Sequence, residues 1–377
     1  MTRLTATFLL VLIGLCLHAQ PGLQELSTER NVHDSNFRFA ALNVVPSRSV
    51  FIQSIQTIFS KKLPVQAVLG TTKGKRPIDV FYFPGTSNLK ALVIGGVHGS
   101  ELSSVEIAKR LVRELSKGGM PFYNVVVIPC LFPDNAATAI KAGRQRVEDN
   151  KGRYTTDHAT DPNRQMPALG TAFDAEKPFD GRDRVIENEN QLLLDLIQEY
   201  NPSRILNIHA IKDLNRAGVY ADPRTDCNSI ALGFESDSLL AIKMAVFIQK
   251  HGGQVPGNQL PRLPTALYYT DPQIAEAGTI QKRNTEGSRL PNERGSGVSL
   301  GSWAATAVCQ GSSKYFRPAI RLITVEFPGY RRPEEYKTAA EQKRWSRQID
   351  LYTASILNYF LEEFFAEAIA ENPVASK

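Results

Sequence analysis

The stretch Gly96-Val97-His98-Gly99-Ser100-Glu101 places an imidazole and a carboxylate three residues apart, directly after an apolar run and at the opening of a helical pattern. On a tight turn into a helix both side chains can face one point, and the glycines on either side of the histidine let the backbone bend there. An imidazole nitrogen with a carboxylate oxygen is a donor pair that suits Zn2+. His209 closes the run Ile205-Leu206-Asn207-Ile208-His209, and Glu326 closes Ile323-Thr324-Val325-Glu326 just before Phe327-Pro328-Gly329. Singly, each has a plainer explanation. His98 could be a hydrogen-bonded structural histidine, and Glu101 an acidic residue favoured at a helix N-terminus. His209 could be packed at a strand end, and Glu326 could pair with Arg331 or Arg332. Together, two histidines and one carboxylate form the ligand set of a catalytic zinc site and leave a second carboxylate over as general base. The set predicts one zinc per chain on His98, Glu101 and His209. His18, His33, His158 and His251 have no such setting and read as surface or loop residues.

These groups can meet only if several strand ends lie side by side. Ala91-Leu92-Val93-Ile94-Gly95-Gly96 is continuously apolar and ends in glycines, as a strand buried on both faces should. Val105, Ile107, Ala108, Leu111, Val112 and Leu115 then recur at helical spacing. Asn124–Pro129 reads as a second buried strand. Gln191–Tyr200 reads as a helix carrying Leu192, Leu193, Leu196 and Ile197, closed by Asn201-Pro202. Arg204–His209 and Ala319–Phe327 are the third and fourth strands. A last long helix is expected from Pro333-Glu334, with Trp345, Ile349, Tyr352, Ile356, Phe360 and Phe364 as one core-packing stripe. Alternating strands and helices imply an α/β sheet covered on both faces, with ligands bound at the carboxyl ends of the strands. The stretch 210–318 is rich in Gly, Pro and Asn, which predicts long active-site loops more than regular structure.

In order, spacing and strand-end placement, these motifs resemble the zinc carboxypeptidases of the carboxypeptidase A type (funnelins), over Lys90 to Tyr330. The matching residues are His98-Gly99-Ser100-Glu101, then His209, then Glu326; Asp161-Pro162-Asn163-Arg164 matches the family's Asp-x-Asn-Arg motif. The resemblance implies a mixed, largely parallel twisted sheet with helices on both faces. It also implies that Asn163 and Arg164 grip the terminal carboxylate of a substrate, the arginine as a bidentate fork. By the same resemblance Glu326 is the catalytic base, and the cation that stabilises the oxyanion comes from Gly143-Arg144-Gln145-Arg146, with Arg144 and Arg146 both candidates. The chain departs from the family at Gln165, where many relatives have asparagine. The interval from His209 to Glu326 is longer than in the digestive enzymes, implying inserted loops around the pocket. Tyr268 and Tyr269 are the candidates for the substrate-capping tyrosine. The closest look is that of bacterial murein peptide amidases and related cell-wall carboxypeptidases.

The rest of the chain fits an enzyme. Its 377 residues are 42% hydrophobic and 22% charged, which excludes a disordered tail, a collagen-like fibre or a coiled-coil rod. The net charge of +6 is spread over 44 basic and 38 acidic residues, too diffuse to point to nucleic acid. Arg3, the apolar run Phe8–Leu15 and Leu17-His18-Ala19 read as a secretory signal peptide over 1–19, too short for a membrane span. Leu15 stands where lipid attachment at Cys16 would need a small residue. Removal of the leader keeps Cys130, Cys227 and Cys309, an odd and sparse set that makes no disulfide scaffold. Residues 20–50 read as an irregular polar lead-in and 51–377 as the catalytic domain. Export suits a periplasmic enzyme that meets peptidoglycan stem peptides. The expected activity is a zinc-dependent hydrolysis of an amide bond near a free carboxylate, as a carboxypeptidase or a γ-D-glutamyl-diaminopimelate amidase. Neither a nucleic-acid partner nor a membrane span in the mature chain is expected. Two alternatives carry the same metal set: an N-acyl amino acid deacylase of the succinylglutamate desuccinylase/aspartoacylase type, and a zinc-bound module without catalysis. Export stands against the first, and Glu326 against the second.

Overall fold

The computed structural model describes residues 40–42, 57–59, 62–143, 145–155, 160–226, 230–260, 296–308 and 317–362. Strands β1 (Ala40–Leu42), β2 (Val65–Thr71), β3 (Pro77–Phe83) and β4 (Lys90–Ile94) lead into helix α1 (Leu102–Lys117). Next come β5 (Asn124–Ile128), α2 (Pro133–Ala142), the short α3 (Gln145–Glu148), α4 (Asn188–Tyr200) and β6 (Arg204–Ile211). Three short strands follow, β7 (Gly218–Ala221), β8 (Arg224–Thr225) and β9 (Ala231–Leu232), before α5 (Phe234–Lys250). The described chain closes with α6 (Leu300–Ala305), β10 (Arg321–Pro328) and α7 (Ala339–Ser355).

Eight strands form one sheet in the order β1-β2-β3-β5-β4-β6-β10-β7. The middle of it, β5-β4-β6-β10, is parallel, while β2, β3 and β5 pair antiparallel on one side and β7 joins β10 antiparallel on the other. This is the mixed, largely parallel sheet that the sequence implied. Apart from Lys90, Asn124, Arg204, Asn207, His209, Arg321, Thr324 and Glu326 the central strands are apolar, because both of their faces are covered. Their alternation divides the side chains between two cores. Leu92, Ile94, Val126, Ile128 and Ile205 pack with α4 and Trp303 on one face. Ala91, Val93, Val125, Val127, Leu206 and Ile208 pack with α1, α5 and α7 on the other. Each such fully buried Val, Leu or Ile side chain contributes about 1.5–3 kcal/mol.

Three expectations are corrected. First, the stretch 210–318 contains a 17-residue helix, α5. Its buried stripe of Leu240, Ala241, Met244, Ala245 and Ile248 is regular, whereas the glycines and prolines that suggested loops lie in its flanks. Second, the last helix begins at Ala339, after a separate 3-10 turn over Pro333–Glu335, because Thr338 and Glu341 form a capping box there. Its stripe is buried as expected at Ile349, Tyr352, Ile356 and Phe360, and Phe364 lies outside the described residues. Third, residues 40–42 of the lead-in are paired with β2 as an edge strand. The proposed leader, the rest of the lead-in, Tyr268, Tyr269, Arg144, His158, Cys227 and Cys309 also lie outside the described residues. Among the described residues no helix is long and apolar enough to cross a membrane.

Candidate active site

The turn between β4 and α1 is held tight by two glycines. Gly96 has φ +63°, a left-handed conformation that side chains rarely adopt. At Gly99 a Cβ atom would collide with the backbone of Asn135 and Ala136 in α2. This close packing lets the loop present His98 and start α1 at once. Glu101 occupies the N-cap of α1 without a side-chain capping bond, so its carboxylate is turned to other work. Oε1 of Glu101 lies 2.8 Å from Nδ1 of His98 and accepts a 2.8 Å bond from Arg153 Nη1. Oε2 lies 3.1 Å from Nδ1 of His209 and accepts the Ala210 N–H at 2.9 Å.

Strand alternation explains why His209 and Glu326 reach the same place. On β6, Ile205, Asn207 and His209 share a face, and Ile205 is the member that packs in the α4 core. Towards the carboxyl end that face opens into a pocket lined by Asn207 and His209. The parallel register pairs Glu326 with His209 and Thr324 with Asn207, and β10 lines the pocket with the same two residues.

The ligand-type atoms of His98, Glu101 and His209 lie within 4.8 Å of one another, and all three residues are buried. Behind the rings stand polar partners: Asp161 Oδ1 is 2.8 Å from Nε2 of His98, and Asn163 Nδ2 is 3.2 Å from Nε2 of His209. Carboxylates in that outer position orient a ligating imidazole and raise its basicity. Burial alone would lower the pKa of His98, but the Glu101 and Asp161 carboxylates outweigh it and raise the value to about 9. Burial would raise Glu101, yet the two histidines hold it well below the usual carboxylate range. Asp161, opposed by its own burial, is held low by His98, Arg164 and Arg153. Two imidazole nitrogens aimed at one anionic carboxylate, each ring backed by an outer polar group, are a donor set that fits a divalent zinc ion.

Four residues singled out in the sequence, His98, Glu101, His209 and Glu326, line this one pocket, as do Asn163 and Arg164. Arg146 does not. It is 1% exposed, bonded in a bidentate pair to Glu335 at 2.8 and 2.6 Å, and further tied to the Gly143 carbonyl. Its charge is spent on joining α3 to the turn before α7. Arg153, which lines the pocket together with Arg164 and Arg216, holds Glu101 and approaches Asp161 Oδ2 at 3.5 Å. Burial would weaken its hold on the proton, but Glu101 and Asp161 raise its pKa further. Nothing in the local pattern marks Arg153. The only hint is Gly152, whose φ of +76° and close approach to the Asn135 carbonyl pin this turn against α2. Tyr330 was also missed. It follows Gly329, which has φ +91°, and its phenol lines the pocket. Burial, with Glu101 adding to it, pushes this phenol well above its ordinary pKa, so it remains a hydrogen-bond donor at neutral pH.

No family model matches this sequence, and no curated protein matches it. Among solved structures the chain is similar to bovine thrombin-activatable fibrinolysis inhibitor, with 12% identity and a TM-score of 0.44 over 86% of this chain and 96% of that one. A metallo-carboxypeptidase from Burkholderia cenocepacia gives 14% identity and 0.42 over 83% and 68%. The murein-tripeptide amidase MpaA from Escherichia coli O157 gives 17% and 0.38 over 79% and 95%. Residue roles in this chain therefore rest on its own geometry.

Proposed function

We propose that this chain is a zinc-dependent amide hydrolase that cleaves next to a free carboxylate, with peptidoglycan stem peptides as its substrates. The observation that carries this reading is the convergence of His98, Glu101 and His209 with Glu326 in one pocket that also holds Asn163 and Arg164. A binding module has no use for the additional carboxylate, whereas a hydrolase needs a base there. Zinc held by His98, Glu101 and His209 would supply a Lewis acid for the scissile carbonyl and would acidify water.

The remaining steps belong to the protein. The Glu326 carboxylate takes the proton of the attacking water and delivers it to the nitrogen of the departing amine. Arg153 is a fixed cation beside the ligand carboxylate, suited to the negative charge that develops on the carbonyl oxygen. The Tyr330 phenol adds a neutral donor to the same wall. Asn163 and Arg164 receive the free carboxylate of the substrate, and the planar guanidinium offers two parallel N–H donors to it. Arg164 is already steadied by its bond to the Asn163 carbonyl, and Asn163 accepts the Leu300 N–H at 3.1 Å. An N-terminal export signal would deliver the enzyme to stem peptides, which carry such carboxylates.

Digestion of purified muropeptides by the zinc-loaded protein, followed by mass spectrometry, tests this reading. Loss of a terminal residue identifies a carboxypeptidase, and cleavage between D-glutamate and diaminopimelate identifies an amidase. Unchanged muropeptides, with N-acyl amino acids hydrolysed instead, would move the assignment to the deacylase class.

A further inference from the structure

Arg184 does not line the pocket, yet it holds the backbone of a residue that does. Its Nη2 donates to the Arg164 carbonyl at 2.7 Å and to the Ser296 carbonyl at 3.1 Å. Arg164 ends the 3-10 turn Pro162–Arg164, where backbone carbonyls lack a partner within the helix. Ser296 leads into α6, and Ser299, Gly301 and Ser302 of that segment line the pocket beside Arg164. Gly297 makes the approach possible. A Cβ there would come within 2.3 Å of the Arg164 carbonyl oxygen and 2.7 Å of Arg184 Nη2. Asn163 is tied to the same segment through the Leu300 N–H.

Arg184 is itself held by Asp180, which is 4% exposed. Oδ1 of Asp180 accepts the backbone N–H groups of Arg182 at 2.8 Å and Arg184 at 3.0 Å, and Oδ2 accepts Nε of Arg184 at 2.7 Å. The Asp180 N–H closes the turn on the Arg184 carbonyl at 2.9 Å. The Asp180–Arg184 pair therefore joins two pocket-lining segments without entering the pocket.

We propose that Arg184 is a positioning residue for the carboxylate clamp. By holding the Arg164 carbonyl it fixes the backbone from which the Arg164 guanidinium reaches the substrate, and so sets the preference for a free carboxylate beside the scissile amide. The proposal rests on the hydrolase reading for the role of Arg164. A planar fork grips a carboxylate only when the two are aligned, and a misplacement of about 1 Å can cost about 10²-fold.

The test uses the stem tripeptide L-alanyl-γ-D-glutamyl-meso-diaminopimelate and the same peptide amidated at the carboxylate next to the γ-glutamyl amide nitrogen. Steady-state kinetics are measured on the zinc-loaded wild type, Arg184→Met, Arg184→Lys and the charge-neutral double variant Asp180→Asn/Arg184→Met. Calorimetric binding of both peptides is measured with each change placed in the Glu326→Gln protein. The wild type should favour the free acid. Arg184→Met should raise KM for the free acid by about 10- to 100-fold, leave kcat within a few-fold, and leave KM for the amide unchanged. The double variant should show the same loss, which assigns it to geometry rather than to the altered field. Arg184→Lys, whose ammonium can still donate to the Arg164 carbonyl, should recover part of it. If neither peptide is cleaved but calorimetry shows the free-acid preference and its loss in Arg184→Met, the positioning role stands and the hydrolase reading falls. Equal losses on both peptides, an unchanged preference in folded Arg184→Met, or a wild type that binds acid and amide equally would overturn the proposal.

Discussion

At the scale of single residues, the site separates groups that hold from groups that react. Glu101 is surrounded by four donors or ring nitrogens, from His98, His209, Arg153 and Ala210, which suits a fixed ligand. Glu326 shares the pocket on a neighbouring strand. Replacing Glu326 by Gln keeps the shape and removes the base, so turnover of a cleaved peptide should fall by roughly 10²–10⁴-fold. Steady-state kinetics of the folded variant checks this, and near-normal turnover would place the base elsewhere. The two arginines are expected to respond in opposite ways. Arg153→Met should lower kcat by about 10²–10³-fold if it stabilises the oxyanion. Arg146→Met should leave kcat of the folded fraction in the wild-type range and reduce stability by about 1.5–3 kcal/mol, because Glu335 loses its bidentate partner. Denaturant unfolding and kinetics on both variants distinguish these roles, and equal kcat losses would return Arg146 to the site.

At the scale of elements, the site depends on the register of β10 against β6. The start of β10 is fixed by a buried charge cluster in which Asp237, on α5, binds Nε of Arg321 through Oδ1 and Nε of Arg224 through Oδ2, each at 2.5 Å. Asp237 is wholly buried and Arg321 is 1% exposed. Asp237→Ala would strand a buried guanidinium, at a cost of about 3–5 kcal/mol. Chemical denaturation should register a loss of that size. A change within experimental error would mean that the cluster does not anchor the strand. The same elements account for what the sequence disclosed. The central strands are visible in it because apolar runs such as Ala91–Ile94 and Val125–Ile128 have no polar face. Helix α5 was hidden by its glycine- and proline-rich flanks. The antiparallel strands β2 and β3 lack a continuous apolar run, since their burial alternates. Arg153 and Asp222 enter the pocket from turns whose course is set by packing against other segments, and no local spacing encodes that.

At the scale of the whole molecule, His98 and Glu101 come from the turn after β4 and His209 from the end of β6, more than a hundred residues later. Only the folded sheet unites them, so metal binding and the native topology are linked. A charged group beside the metal should be dispensable for holding it, and a ligand should not. The most direct measurement is the zinc content, after exhaustive dialysis, of the wild type, Glu326→Gln and His209→Ala, each confirmed folded by circular dichroism. One zinc per chain in the wild type and in Glu326→Gln, with most of it lost from His209→Ala, is the expected result. Full occupancy in His209→Ala, or zinc lost on replacing Glu326 alone, would contradict the assignment of ligands and base.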